Sequence, residues 1–212
     1  MNKQTKFKVR LSLNIVGLTI LMSGLSGCQQ QQSQTQTDAM SSESADEPSA
    51  PAEAADQKTR ALAAKSALFE RLSTRLMQAM SNGGPTAAIE VCSKEAQTIA
   101  IEVGQEHHVK IGRTSFKLRN SNNTPPKWAN QFVNDRSSEP QFVDMPDGRF
   151  GAFLPIKLMA QCMTCHGPTD QIDEQVLTTL RKLYPDDQAT GFSIDDLRGW
   201  FWVEVPADTI DG

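Results

Sequence analysis

The stretch Cys162-Met163-Thr164-Cys165-His166 carries the densest chemistry in the chain. Two cysteines separated by two residues can add as thioethers to the two vinyl groups of one haem. A histidine directly after the second cysteine is then placed to become the proximal ligand of the iron, so Cys-x-x-Cys-His reads as a c-type haem attachment site. Three other chemistries compete. A redox dithiol of Cys162 and Cys165, as in a thiol-disulfide oxidoreductase, normally opens a helix in a β-α-β setting, whereas here a hairpin pattern precedes and Gly167-Pro168 follows. A zinc site wants four spaced ligands, and His166 abuts Cys165. A structural disulfide is the third. One covalent haem c is the reading these residues favour.

The other cysteines, Cys28 and Cys92, bear on that reading. Lys3, Lys6, Lys8 and Arg10 precede a mostly apolar run from Leu11 to Leu25, the layout of an export signal. Thioether attachment is an export-side chemistry, so signal and motif agree. The signal ends in Leu25-Ser26-Gly27-Cys28, which resembles the lipobox of bacterial lipoproteins. That resemblance implies cleavage before Cys28, lipidation of Cys28 and attachment to a membrane through acyl chains. Gln29 at the next position differs from the Asp of an inner-membrane retention signal, so a periplasm-facing, outer-membrane placement in the cell envelope is expected. Loss of residues 1–27 removes four basic residues and no acidic ones, taking the net charge from −4 to −8. Such a charge disfavours nucleic acid as a partner.

Residues 28–57 are Gln, Ser, Ala, Pro and acid, too poor in apolar side chains to offset chain entropy with a core, and read as a disordered tether. Residues 58–212 make one ordinary domain. Within it, Leu62, Phe69, Leu72, Leu76 and Met80 predict a helix from Arg60 to Asn82, stopped by Gly83-Gly84. Pro85 opens a second helix with Ile89, Cys92, Ala96, Ile99 and Val103 on its inward stripe. Val109–Arg119 reads as extended, with Arg113, Lys117 and Arg119 on one parity. A short helix around Trp128 and a hairpin over 142–159 turning at Asp147-Gly148 follow. The motif comes next, then a helix bearing Ile172, Val176, Leu180 and Leu183, and finally a strand from Leu197 to Val205. Blocks of helices and strands around an antiparallel hairpin define the class as α+β.

A haem iron held by His166 has a sixth position. Met77, Met80, Met145, Met159, Met163 and the pair His107-His108 are the candidates by residue type. Cys92 is the remaining thiol in a compartment where disulfides are expected, and a leftover cysteine there needs an explanation. On helix geometry alone, inert burial as a small hydrophobe is favoured over ligation. Arg113, Lys117 and Arg119 could meet haem propionates or form a solvated basic face. Trp200 and Trp202 share a parity and could cover a haem edge or pack in the core.

The stretches AIEVCSKEA (88–96), IGRTSFKLRN (111–120), FLPIKLMAQCMTCHGP (153–168), LYPDDQATGF (183–192) and DLRGWFWVEVP (196–206) resemble, in the same order, a bacterial family catalogued as a domain of unknown function and typified by a cyanobacterial c-type haem protein. The resemblance implies a PAS-like fold, an antiparallel sheet with flanking helices. It also implies axial ligation by His166 and Cys92. Thiolate ligation favours ferric iron and a low potential compared with His/Met ligation. With both axial positions filled, oxygen chemistry is blocked unless a ligand leaves, which argues against an enzyme. Low-potential electron transfer at a membrane is the expected function. A haem-based sensor of redox state or of a small ligand, acting through a separate partner, is the alternative.

Overall fold

The computed structural model describes residues 50–207, with side chains from Ala54 onward. The export signal, Cys28, Gln29 and most of the expected tether lie outside the described residues. Helix α1 runs Ala50–Lys94 and α2 Ala96–Glu106. The helix therefore begins inside the segment read as tether, eight residues before Lys58. Gln57 shows why. Its side chain is buried and donates to the carbonyls of Gly148 at 2.9 Å and Pro206 at 3.1 Å, tying the first turns to the hairpin and the end of the sheet.

The expected break in α1 falls at Gly84, with φ 70° and ψ −166°. That region of backbone space is open essentially to glycine alone, and Pro85 restarts the helix where a missing N–H costs nothing. Two helical segments result, and the second carries Cys92.

Strands β1 (Lys110–Thr114), β2 (Gln141–Asp144), β3 (Phe150–Lys157) and β4 (Leu197–Val205) form one antiparallel sheet in the order β1-β4-β3-β2. Alternation along the strands sends Ile111, Phe150, Ala152, Leu154, Phe201, Val203 and Val205 to one face, where they pack on Ala61, Ala64, Leu68, Ala100 and Val103 of α1 and α2. The other face carries Phe153 and Trp200, stacked at 4.9 Å and covered by Ala129 and Phe132 around α3 (Asn130–Asn134). β4 is central and buried on both sides, so its sequence lacks a clean polar alternation. Gly112 lies opposite Trp202, and a Cβ there would meet the indole at 2.5 Å. The glycine lets that ring lie flat across β1.

This is the α+β arrangement expected, an antiparallel sheet with flanking helices. It positions the site in a simple way: β3 ends and β4 begins at the same end of the sheet, joined where Leu158 N–H donates to Asp196 O and Asp195 N–H to Leu158 O. The Cys-x-x-Cys-His segment leaves from that end. No helix among the described residues is long and apolar enough to cross a membrane.

Candidate functional site

The motif forms a tight turn followed by helix α4, Met163–His166. Met159 N–H points at Cys162 Sγ, 3.4 Å away, and Cys162 N–H donates back to Met159 O at 2.9 Å. Two further bonds lock the end of the motif to the loop after helix α5 (Glu174–Leu183): Gly191 N–H to Gly167 O at 2.8 Å, and Phe192 N–H to His166 O at 3.0 Å. Cys92, Cys162 and Cys165 are free and half-buried.

His166 is the best-defined side chain of the site. Its Nδ1 lies 2.7 Å from the carbonyl of Ala189. A carbonyl can only accept, so Nδ1 carries the proton and Nε2 keeps its lone pair. Burial, then the charges of Arg119, Arg198 and Arg113, push the imidazole pKa down to about 2. The ring is a neutral donor with a fixed tautomer, the state in which a histidine binds a metal. The Phe192 ring stands edge-on beside it at 6.4 Å.

Arg119 fastens this arrangement. It donates to Cys165 O at 2.6 Å and Ala189 O at 3.1 Å and pairs with Asp187 at 3.1 Å, with both side chains about nine-tenths buried. Asp187 in turn accepts from Ala189 N–H at 2.8 Å. One guanidinium thus joins the motif backbone to the loop that orients the histidine.

Cys92 approaches from α1. Ile89, one turn earlier on the same helix face, packs with Ile172, Val176, Leu180 and Tyr184, and Cys165 packs against that cluster. Burial raises the Cys165 thiol pKa, Arg119 opposes the rise, and Cys92 and Cys162 add to it, so Cys165 feels both other thiols. Burial and the neighbouring Cys92 push Tyr184 up to about 12. The phenol therefore stays protonated beside that thiol.

The other candidates separate. β1 ends at Thr114, so Arg113, Lys117 and Arg119 do not form the row that strand parity predicts. The chain bends instead, held by Ser115 Oγ donating to Arg198 O at 2.6 Å. Lys117 Nζ is directed at Thr190 O and the Phe192 face, and Arg119 is the clamp. The Arg113 guanidinium makes no hydrogen bond or ion pair among the described residues. His107 and His108 precede β1, whose first residue pairs with Glu204, at the sheet end opposite the motif. Met145 lies at that end too, against Gly151. Met77 is exposed, and Met80 packs with Ala79, Ala88 and Val91. Trp200 is wholly buried, its indole N–H bonded to Ser137 O at 2.7 Å, so it builds the core.

Sequence reasoning missed Arg198. Its guanidinium donates to Ser115 Oγ at 2.8 Å and Lys117 O at 3.0 Å. Burial and the charges of Arg119 and Arg113 lower its pKa to about 10. The signal available was Gly199 next to it in a strand, a mark of bulges.

These features define an α+β domain in which a Cys-x-x-Cys-His turn with its neutral histidine and a third cysteine lie near one end of the sheet. A family model described as Tll0287-like matches residues 29–206, and the chain belongs to that family. A solved structure, described as the crystal structure of the cyanobacterial heme-protein Tll0287, is similar at 24% identity with a TM-score of 0.49, over 68% of this chain and 94% of that one. No curated protein matches.

Proposed function

We propose that this chain is a single-haem c-type protein, anchored in the cell envelope through a lipid on Cys28, that transfers electrons at low potential. The observation that carries the reading is His166. Its Nδ1–H is committed to Ala189 O, its Nε2 is free, and the free thiols of Cys162 and Cys165 belong to the same turn. The donor set fits a haem: Cys162 and Cys165 for the thioethers, His166 as proximal ligand and Cys92 as distal ligand. When bound, the group would supply one-electron cycling of iron. The protein's part is to hold the imidazole neutral and oriented through Ala189 and Arg119. It also keeps Tyr184 protonated beside Cys92 and shields the ring with Phe192.

The test is maturation in a host competent for c-type assembly. The wild type is expected to retain haem through a denaturing gel, and Cys162→Ser/Cys165→Ser to lose it. A wild type without covalent haem would overturn the reading.

Sensing by displacement of Cys92 has one observation in its favour. The Cys92 segment joins the rest of α1 through Gly84, a joint at which the helix can be re-aimed. Carbon monoxide binding with loss of thiolate ligation would favour that reading. Electron exchange with a membrane donor at unchanged ligation would favour transfer.

A further inference from the structure

Arg198 occupies an irregularity that re-aims it. In the β3–β4 ladder Ile156 pairs with Gly199 and Lys157 pairs with Leu197, so Arg198 is passed over. A bulge of this kind turns a side chain out of strand alternation, and bulges gather next to functional sites. The guanidinium lies 5.6 Å from the centre of the Phe192 ring, the ring that stands beside His166. Its Nη1 reaches only neutral acceptors, Ser115 Oγ and Lys117 O. Its Nε and Nη2 have no partner among the described residues, and neither has the Arg113 guanidinium.

The charges facing Arg198 come from every element around it. Arg113 comes from β1, Lys117 and Arg119 from the bend after it and Asp187 from the loop beyond α5, while the uncharged His166 ring lies nearby on α4. Arg113 and Arg119 repel Arg198, and Asp187 attracts it. Asp187 is already held by Arg119 at 3.1 Å. A half-buried arginine without an acid of its own is costly unless an anion completes it. An arginine fork matches a carboxylate geometrically.

We infer that Arg198 and Arg113 form a carboxylate-receiving site that takes the propionates of the haem attached at Cys162 and Cys165. The assignment rests on the haem reading above. It moves the propionates away from Arg119, whose fork is spent on backbone and Asp187, and from Lys117, which is directed at Thr190 O.

The test is a pH titration of the propionate carboxyls in the haem-loaded protein, read by carbon-13 NMR and by the pH dependence of the reduction potential. Wild type, Arg198→Gln and Arg113→Gln are compared with Lys157→Gln, an exposed charge-loss control at the end of β3. Removing either arginine is expected to raise the proton affinity of a propionate at least tenfold, one pKa unit, and Lys157→Gln to change it less than threefold. Arg198→Lys keeps the charge without the fork and is expected to fall between Gln and wild type; it carries the test if the Gln variant fails to fold. Titrations unmoved by the arginine changes overturn the assignment while leaving the haem intact. A wild-type potential that follows added acetate or phosphate at constant ionic strength also overturns it, because the site is then open to free anions. A wild type without covalent haem overturns the functional reading and this inference together.

Discussion

Arg119 and His166 meet on one oxygen: the Ala189 carbonyl accepts from His166 Nδ1 at 2.7 Å and from Arg119 Nη2 at 3.1 Å. The same guanidinium holds Cys165 O and Asp187. Removing it would leave Asp187 buried without its cation and take away one of the ties between the motif and the loop, the Gly167, His166 Nδ1 and His166 O bonds remaining. Breaking a buried pair from one side costs about 3–5 kcal/mol. Arg119→Ala is therefore expected to lose about that much in urea unfolding, and Arg119→Lys less. A loss in Arg119→Ala below about 1 kcal/mol would mean the pair behaves as an exposed one.

Gly84 sits at φ 70° and ψ −166° with nothing within 4 Å of where a Cβ would be. The penalty for alanine there is backbone strain, not a clash, about 1–3 kcal/mol. Gly84→Ala is expected to lower stability by that amount in thermal or urea unfolding. It would also re-aim the segment bearing Cys92, so a distal-ligand spectrum should change with it. Unchanged stability would show that the helix break tolerates an ordinary residue.

The sequence made the elements legible where local chemistry decides them. β4 falls on Leu197–Val205 as expected, the hairpin turns at Asp147-Gly148, and α1 breaks at the glycine pair. What it hid depends on distant partners. Helix α1 starts early because Gln57 finds carbonyls of Gly148 and Pro206. The Arg113–Arg119 row dissolves because Ser115 bonds Arg198 O and bends the chain. Arg198 stays hidden because the bulge opposite Ile156 and Lys157 that re-aims it is marked locally by Gly199 alone. In the site, the motif was legible from spacing, whereas the Ala189 and Arg119 supports come from residues 23 and 46 positions away from the groups they bind.

Haem-free protein should lose stability in acid earlier than its carboxylates require. The His166 pKa lies at about 2 in the folded state against 6.5 ordinarily. Between these values the unfolded chain binds a proton that the folded one refuses, so stability is full above about pH 6.5 and falls as pH drops towards about 2. The carboxyls of Glu95 and Glu106, held low by Arg75 and Arg71, contribute only below about pH 4.5. The interval from about pH 6 to 4.5 therefore isolates the histidine. Urea unfolding of Cys162→Ser/Cys165→Ser should show a decline there that His166→Gln removes. Equal slopes in the two would show that His166 is protonated in the folded protein.

Lipidation has its own test. Cys28→Ala is expected to shift the protein from the membrane to the soluble envelope fraction without changing its haem content. Retention of the variant in membranes would show that something other than an acyl group on Cys28 holds it.

The most direct measurement is electron paramagnetic resonance of the ferric haem-loaded protein, wild type against Cys92→Ala. If Cys92 and His166 hold the iron, the wild type gives the low-spin signal of thiolate–imidazole ligation and Cys92→Ala loses it, with haem still bound through Cys162 and Cys165. Identical spectra for the two proteins would contradict the account.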